Sequence, residues 1–160
     1  MKKNLAIFSM IAVLFLVSCG KGYQYKQISQ GVNQKSIEQE LGKEPDSTKE
    51  EAGMTYLQYD ACPYMDYKGT TTYCLTDDAL NYSKWEYLAE NSQDAKDAYQ
   101  AIKTDFEKQY GEGEETTDEG TFWVCAWYLG TESTVSLTCT SESQEFQVSI
   151  LSTIKDEQNE

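Results

Sequence analysis

Residues 121–129, 134–140 and 145–153 alternate apolar and polar side chains with a period of two, which commits the last third of the chain to strands. Trp123, Cys125, Trp127 and Leu129 fall on one side of the first strand. Val135, Leu137 and Cys139 share a side of the second, and Phe146, Val148 and Ile150 a side of the third. A sheet apolar on one face must bury that face against another layer. The preceding segment supplies one. Ala95, Ala98, Tyr99, Ile102 and Phe106 recur at helical spacing. Asn91 or Ser92 opens the helix, Asp94 and Asp97 suit its N-terminus, Lys103 and Lys108 its C-terminus, and Gly111 ends it. The stripe is expected to lie on the apolar sides of the three strands. Phe122, Val124, Ala126 and Tyr128 make the first strand apolar on its other side too. That places it centrally in a larger sheet, or gives its outer face something to bind.

The first half repeats this order. Asn33 can cap a helix, with Val32 and Ile37 placed as a hydrophobic staple. Ile37 and Leu41 lie on one face, Gly42 suits the left-handed position after the last turn, and Pro45 blocks continuation. The spacing predicts a helix over 34–41. Segments 54–60, 71–76 and 80–88 are rich in Tyr, Thr, Trp and Leu and read as strands, with Asp77-Asp78 as the turn between the last two. Residues 46–53 are polar, and 112–120 hold five acids in nine residues, so both read as loops. The expectation is an α+β fold of two helix-plus-three-stranded antiparallel meander units (αβββ-αβββ), covering 25–90 and 91–154. Both helices pack on one face of the sheet, and 155–160 form a frayed tail.

The N-terminus carries a different signal. Lys2-Lys3 precede an apolar run from Leu5 to Val17, which stops at Ser18-Cys19-Gly20. The run is about 13 residues, short of the ~20 that span a bilayer. It resembles a bacterial lipoprotein signal peptide with the lipobox Leu16-Val17-Ser18-Cys19. The resemblance implies that 1–18 are a cleaved signal peptide, that Cys19 carries the lipid and that 19–24 form a tether. The protein would then sit outside the cytoplasm on the cell membrane, periplasmic or at the cell surface.

Cys62, Cys74, Cys125 and Cys139 remain, an even number that suits two disulfides in an exported chain. Four cysteines allow three connectivities. Local pairing, Cys62 with Cys74 and Cys125 with Cys139, is the expected one. If Leu129 faces Val135, the antiparallel register sets Cys125 opposite Cys139, close enough to bridge. Pro63 and Lys68-Gly69 permit the reversal that the first pair needs. A thiolate metal site is the rival, but the spacings are not C-x-x-C.

Composition narrows the chemistry. The full chain has a formal charge of −14, with no histidine and no arginine. Such a surface repels nucleic acid, which needs cationic contacts, and favours a cationic protein or ion. Without histidine neither a Ser-His-Asp triad nor an imidazole zinc site can be built. No nucleotide-binding loop or G-x-S-x-G elbow occurs. The chain reads as a non-enzyme without metal or cofactor. Asp77-Asp78 and the acids of 112–119 lack the spacing of a calcium loop.

Tyr25-Lys26-Gln27-Ile28, Gly31-Val32-Asn33, Ile37, Leu41-Gly42 and Pro45-Asp46 resemble the opening of the SmpA/OmlA-like envelope lipoproteins. They also resemble the repeats of the beta-lactamase inhibitory protein family. The resemblance covers about 25–88 and implies an antiparallel meander after a short helix, with a concave sheet that grips a partner. Tyr56, Tyr59, Tyr64, Tyr67 and Tyr73 give the chain a tyrosine-dense segment of the kind favoured at recognition surfaces. Tyr64, Asp66 and Tyr67 are the candidate partner-binding residues. The expected function is a membrane-anchored, non-enzymatic protein-binding or scaffold lipoprotein that meets another envelope or extracellular protein. A small-ligand or cation-binding lipoprotein is the alternative.

Overall fold

Two four-stranded meanders meet through their last strands to make one antiparallel sheet. The computed structural model describes residues 24–118, 121–130, 133–140 and 147–154. In chain order the elements are α1 (Gln34–Leu41), β1 (Ser47–Glu51), β2 (Met54–Tyr64), β3 (Tyr67–Thr76) and β4 (Ala79–Leu88). Then follow α2 (Ser92–Tyr110), β5 (Glu114–Asp118), β6 (Phe122–Leu129), β7 (Ser133–Thr140) and β8 (Gln147–Ile154). The eight strands lie in the order β1-β2-β3-β4-β8-β7-β6-β5, and Trp85 faces Ile150 at the β4–β8 seam.

This corrects the expected pair of αβββ units. The fold is a single eight-stranded sheet with two helices, and the segments read as loops, 46–53 and 112–120, contribute the edge strands β1 and β5. Every residue of β1 and β5 is exposed. An edge strand wet on both faces has no apolar side, so the period-two signal vanishes, and its charges discourage pairing with other chains.

The helices follow from their caps. Asn33 accepts the Ser36 N–H (3.0 Å), and Gly42 closes α1 at φ 66°. Asn91 accepts the N–H groups of Gln93 and Asp94, both at 3.0 Å. Ile37 and Leu41 of α1 pack on Leu57, Tyr59, Tyr73, Leu75 and Leu80. The stripe Ala95, Ala98, Tyr99, Ile102 and Phe106 of α2 packs on Trp85, Trp127, Leu137, Val148 and Ile150, among others. Since Tyr73 faces Ser83 and Thr71 faces Trp85, both cores lie on one face of the sheet. Residues 24–32 cross that face between the helices as a strap. The Tyr25 N–H donates to the Pro63 carbonyl (2.8 Å) at one end, and the Gly31 N–H to the Leu80 carbonyl (2.9 Å) at the other.

The disulfide expectation is also corrected. Cys62, Cys74, Cys125 and Cys139 are buried, and among the described residues no two of them are joined. A bulge at Ala61 (φ 50°) lets Tyr59 and Cys62 both turn inward. Cys74 pairs with Tyr82 on the side away from the helices, opposite to Cys62. In the second hairpin β7 starts at Ser133, facing Leu129, two residues earlier than the register that would pair the cysteines. Cys125 therefore faces Leu137 and Cys139 faces Trp123, leaving the two thiols diagonal. Burial pushes the Cys139 thiol up to about 11 and raises Cys125 as well, so both stay protonated at neutral pH. The expected result is that these four cysteines resist iodoacetamide in the native state. All four should be alkylated in denaturant without reductant, read by intact mass. Modification only after reduction would restore the disulfides.

Candidate functional site

Both helices pack on one face of the sheet, and the other face carries no helix. Registers order it in rows across the sheet. One row runs Lys49, Tyr56, Cys74, Tyr82, Thr153, Thr134 and Tyr128. The next runs Ser47, Gln58, Thr72, Lys84, Leu151, Ser136, Ala126 and Glu114. A third runs Thr70, Glu86, Ser149, Thr138, Val124 and Thr116, and a fourth Leu88, Gln147, Thr140, Phe122 and Asp118.

On β6, β7 and β8 these rows form a grid of twelve residues without a charge: Tyr128, Thr134, Thr153, Ala126, Ser136, Leu151, Val124, Thr138, Ser149, Phe122, Thr140 and Gln147. A quarter of the whole chain is charged, so this stretch stands apart from the rest of the surface. It spans roughly 20 Å along the strands and 10 Å across them. Phe122 and Tyr128 are exposed, while Val124, Ala126 and Leu151 are half-buried among their neighbours. Charges return at its borders. Glu86 pairs with Lys84 (2.6 Å) and accepts from the Gln147 amide, and Glu114 and Asp118 stand on β5. The outer side of 122–128 was the one sequence signal for this surface. The Ser and Thr residues around it carry no motif.

The three residues expected to bind a partner lie at the β2–β3 hairpin tip. Tyr64 turns toward α2 and donates to Asp105 Oδ2 (2.9 Å), with its ring against Tyr25, Trp85 and Phe106 at 5.6–5.9 Å. Burial, and then the Asp105 carboxylate, raise its pKa. Tyr67 rests on Tyr87 with ring centres 5.1 Å apart. Tyr87 in turn donates to Asp94 Oδ2 (2.6 Å), a bond that holds its phenol up to about 12. Tyr64 and Tyr67 thus dock the hairpin onto α2, and of the three residues only Asp66 is exposed.

Two of the cavities along the strap have volumes of about 620 Å³ and 390 Å³. They meet at the hydrogen bond from the Tyr110 hydroxyl to Gln27 Oε1 (2.5 Å), and Gln109 lines both. Lys26 closes one side through Glu40 (2.8 Å). The acidic segments are engaged structurally. Asp77 and Asp78, both at positive φ, form the β3–β4 turn, where Asp78 accepts the Gln34 N–H (3.3 Å). Glu115 pairs with Lys103 (2.6 Å) and accepts from Tyr99 (3.0 Å), and the lysine holds its carboxyl below the usual range. Among the described residues no group of three or more Cys, Asp or Glu is placed to hold a metal ion. Cys19 lies outside the described residues.

Comparison with protein-family models, curated proteins and solved structures gives no match to this chain. The resemblance to the SmpA/OmlA-like lipoproteins therefore rests on the opening residues alone.

Proposed function

We propose that this chain is a membrane-tethered, non-enzymatic binding lipoprotein that recognises another protein through the open face of β6–β8. The charge-free grid carries the reading. Interface centres are depleted of charge, as this grid is, and its two exposed aromatic side chains, Phe122 and Tyr128, stand at opposite ends of β6. The grid covers the central part of a standard interface of roughly 800 Å² per partner. The acids around it and the charge of −14 set the partner's character: an uncharged centre and a basic rim. A second copy would bring like charge against like charge.

A photo-crosslinking amino acid at Ser136, with Gln39 on α1 as the control site, tests this in the native host. The expected adduct forms at Ser136 and not at Gln39, involves a basic protein, weakens with salt and disappears with Thr138→Arg. Adducts at Gln39 alone, or adducts indifferent to Thr138→Arg, would transfer recognition to the helix side.

The two cavities beside the strap favour a second reading, a small polar ligand held by Gln27, Gln109 and Tyr110. Native mass spectrometry of protein purified from its host would then show a bound small molecule that Gln27→Ala releases.

A further inference from the structure

We propose that the end of the sheet carrying Met65, Leu88 and Phe122 rests on the lipid surface, so that the strands stand upright on the membrane. The proposal rests on the tethering reading of Cys19. Among the described residues four large hydrophobic side chains are exposed: Leu88 (73 %), Tyr128 (56 %), Met65 (49 %) and Phe122 (40 %). Three of the four share one end of the molecule. Leu88, Gln147, Thr140 and Phe122 make the terminal row of the sheet, and Met65 sits in the turn between Tyr64 and Tyr67 at that same end.

The strap enters at this end. Tyr25 is bonded to Pro63 there, and the strap then runs away toward Leu80. From Cys19 to Gln24 a fully extended chain covers at most about 17 Å. A lipid on Cys19 therefore holds this end, and not the Tyr128 end, within that distance of the bilayer.

The turn itself points the same way. Met65 has φ 53°, a conformation that a glycine would adopt without strain. Its side chain is half exposed and covers no core. Asp66 and Asp118 flank the apolar side chains, with Lys68 near by, so the contact suits a zwitterionic surface better than an anionic one. The contact needs little affinity of its own, because the tether supplies a high local concentration. Its result is orientation: the open face looks sideways along the membrane, where a neighbouring protein would stand.

The chain from Cys19 to Glu160 is coupled through Cys19 to a maleimide phospholipid in phosphatidylcholine vesicles. An environment-sensitive fluorescent amino acid is placed at Leu88 or at Tyr128. At position 88 the emission should shift to the blue and be quenched severalfold by a spin label in the acyl chains. At position 128 it should behave as in water. Met65→Gly combined with Phe122→Ser should reduce the quenching at 88 while the circular dichroism stays native. Equal, water-like emission at both positions would overturn the proposal. Acylation of Cys19 is read separately, from the mass of the N-terminal peptide in the native host, so tethering and surface contact stand or fall by different measurements.

Discussion

Replacing Trp85 with alanine should cost about 5 kcal/mol and lower the melting temperature by at least about 10 °C. Trp85 is fully buried on the central strand β4, opposite Ile150 of the second meander. Its indole packs against the rings of Tyr25 (6.4 Å), Tyr64 (5.9 Å) and Tyr87 (6.2 Å). It thereby joins the strap, the hairpin tip and the sheet at one point. Truncation removes the largest side chain of the seam and leaves a cavity that these neighbours, fixed by their own bonds, cannot close. It also removes the buried hydrogen bond from Trp85 Nε1 to the Cys62 carbonyl (2.9 Å). Typical domains have only about 5–15 kcal/mol in hand, so the variant sits near the edge of folding. Urea denaturation of Trp85→Ala and Trp85→Phe would separate the two contributions, since phenylalanine fills most of the volume and loses only the N–H. A loss below about 2 kcal/mol for the alanine variant would mean that the seam does not hold the two meanders together.

Trp85 also explains what could be read from the sequence and what could not. Gly69 reads as a turn residue, and β3 is accordingly expected to begin only at 71. In the fold Gly69 lies inside β3, because a Cβ there would stand 2.6 Å from Trp85 Cε2 and 2.2 Å from the Glu86 carbonyl. The second meander repeats the device at its edge. A Cβ on Gly113 would meet Cys125 Sγ at 2.6 Å and Trp127 Cε2 at 2.7 Å. A glycine that makes room for a tryptophan from another strand looks, locally, the same as a glycine that makes a turn.

Local chemistry was legible where it acts locally. The helix expected over 34–41 has those bounds because Asn33, Gly42 and Pro45 act within one turn of it. Asp77-Asp78 forms the turn expected of it, since both residues tolerate positive φ. Pairing register is not local. The Cys125–Cys139 expectation assumed Leu129 opposite Val135, and Leu129 faces Ser133 instead, a register two residues away. The open face was half legible for a similar reason. Phe122, Val124, Ala126 and Tyr128 reveal themselves by their own spacing. The neutral Ser and Thr residues that complete the grid come from strands adjacent only in the folded sheet. The fold divides the tyrosine-dense segment: Tyr59 and Tyr73 are fully buried in the core, while Tyr64 and Tyr67 are partly buried against it.

Those buried tyrosines set the second large effect, cooperative unfolding above pH 10. Tyr25, Tyr59, Tyr73 and Tyr99 are at most 4 % exposed, and burial raises the pKa of each well above the usual 10.0. For Tyr73 and Tyr99 the neighbourhood adds to this. Tyr73 faces other phenols and the Cys62 thiol, and Tyr99 donates to the Glu115 carboxylate (3.0 Å). The sign follows from proton binding. Below pH 10 the folded and unfolded states both hold these protons, and stability does not depend on them. Above pH 10 the unfolded chain releases them while the folded chain keeps them, so the unfolded state binds fewer protons and stability falls as pH rises. Each tyrosine contributes a slope of about 1.4 kcal/mol per pH unit, and four together roughly 5 kcal/mol per unit. A stability of 5–15 kcal/mol is then exhausted within about one to three units, and unfolding should be complete between roughly pH 11 and pH 13. The phenolate absorbance near 295 nm and the far-ultraviolet circular dichroism should change together over this range. Tyr73→Phe keeps the ring and removes one titrating group, at the expense of the bond from its hydroxyl to the Lys26 carbonyl (2.9 Å). It should therefore lower stability by about 1 kcal/mol at pH 7 and make the alkaline transition shallower by about a quarter. Smooth titration of all tyrosines near pH 10 with retained dichroism would show that the phenols under the strap are open to water in solution.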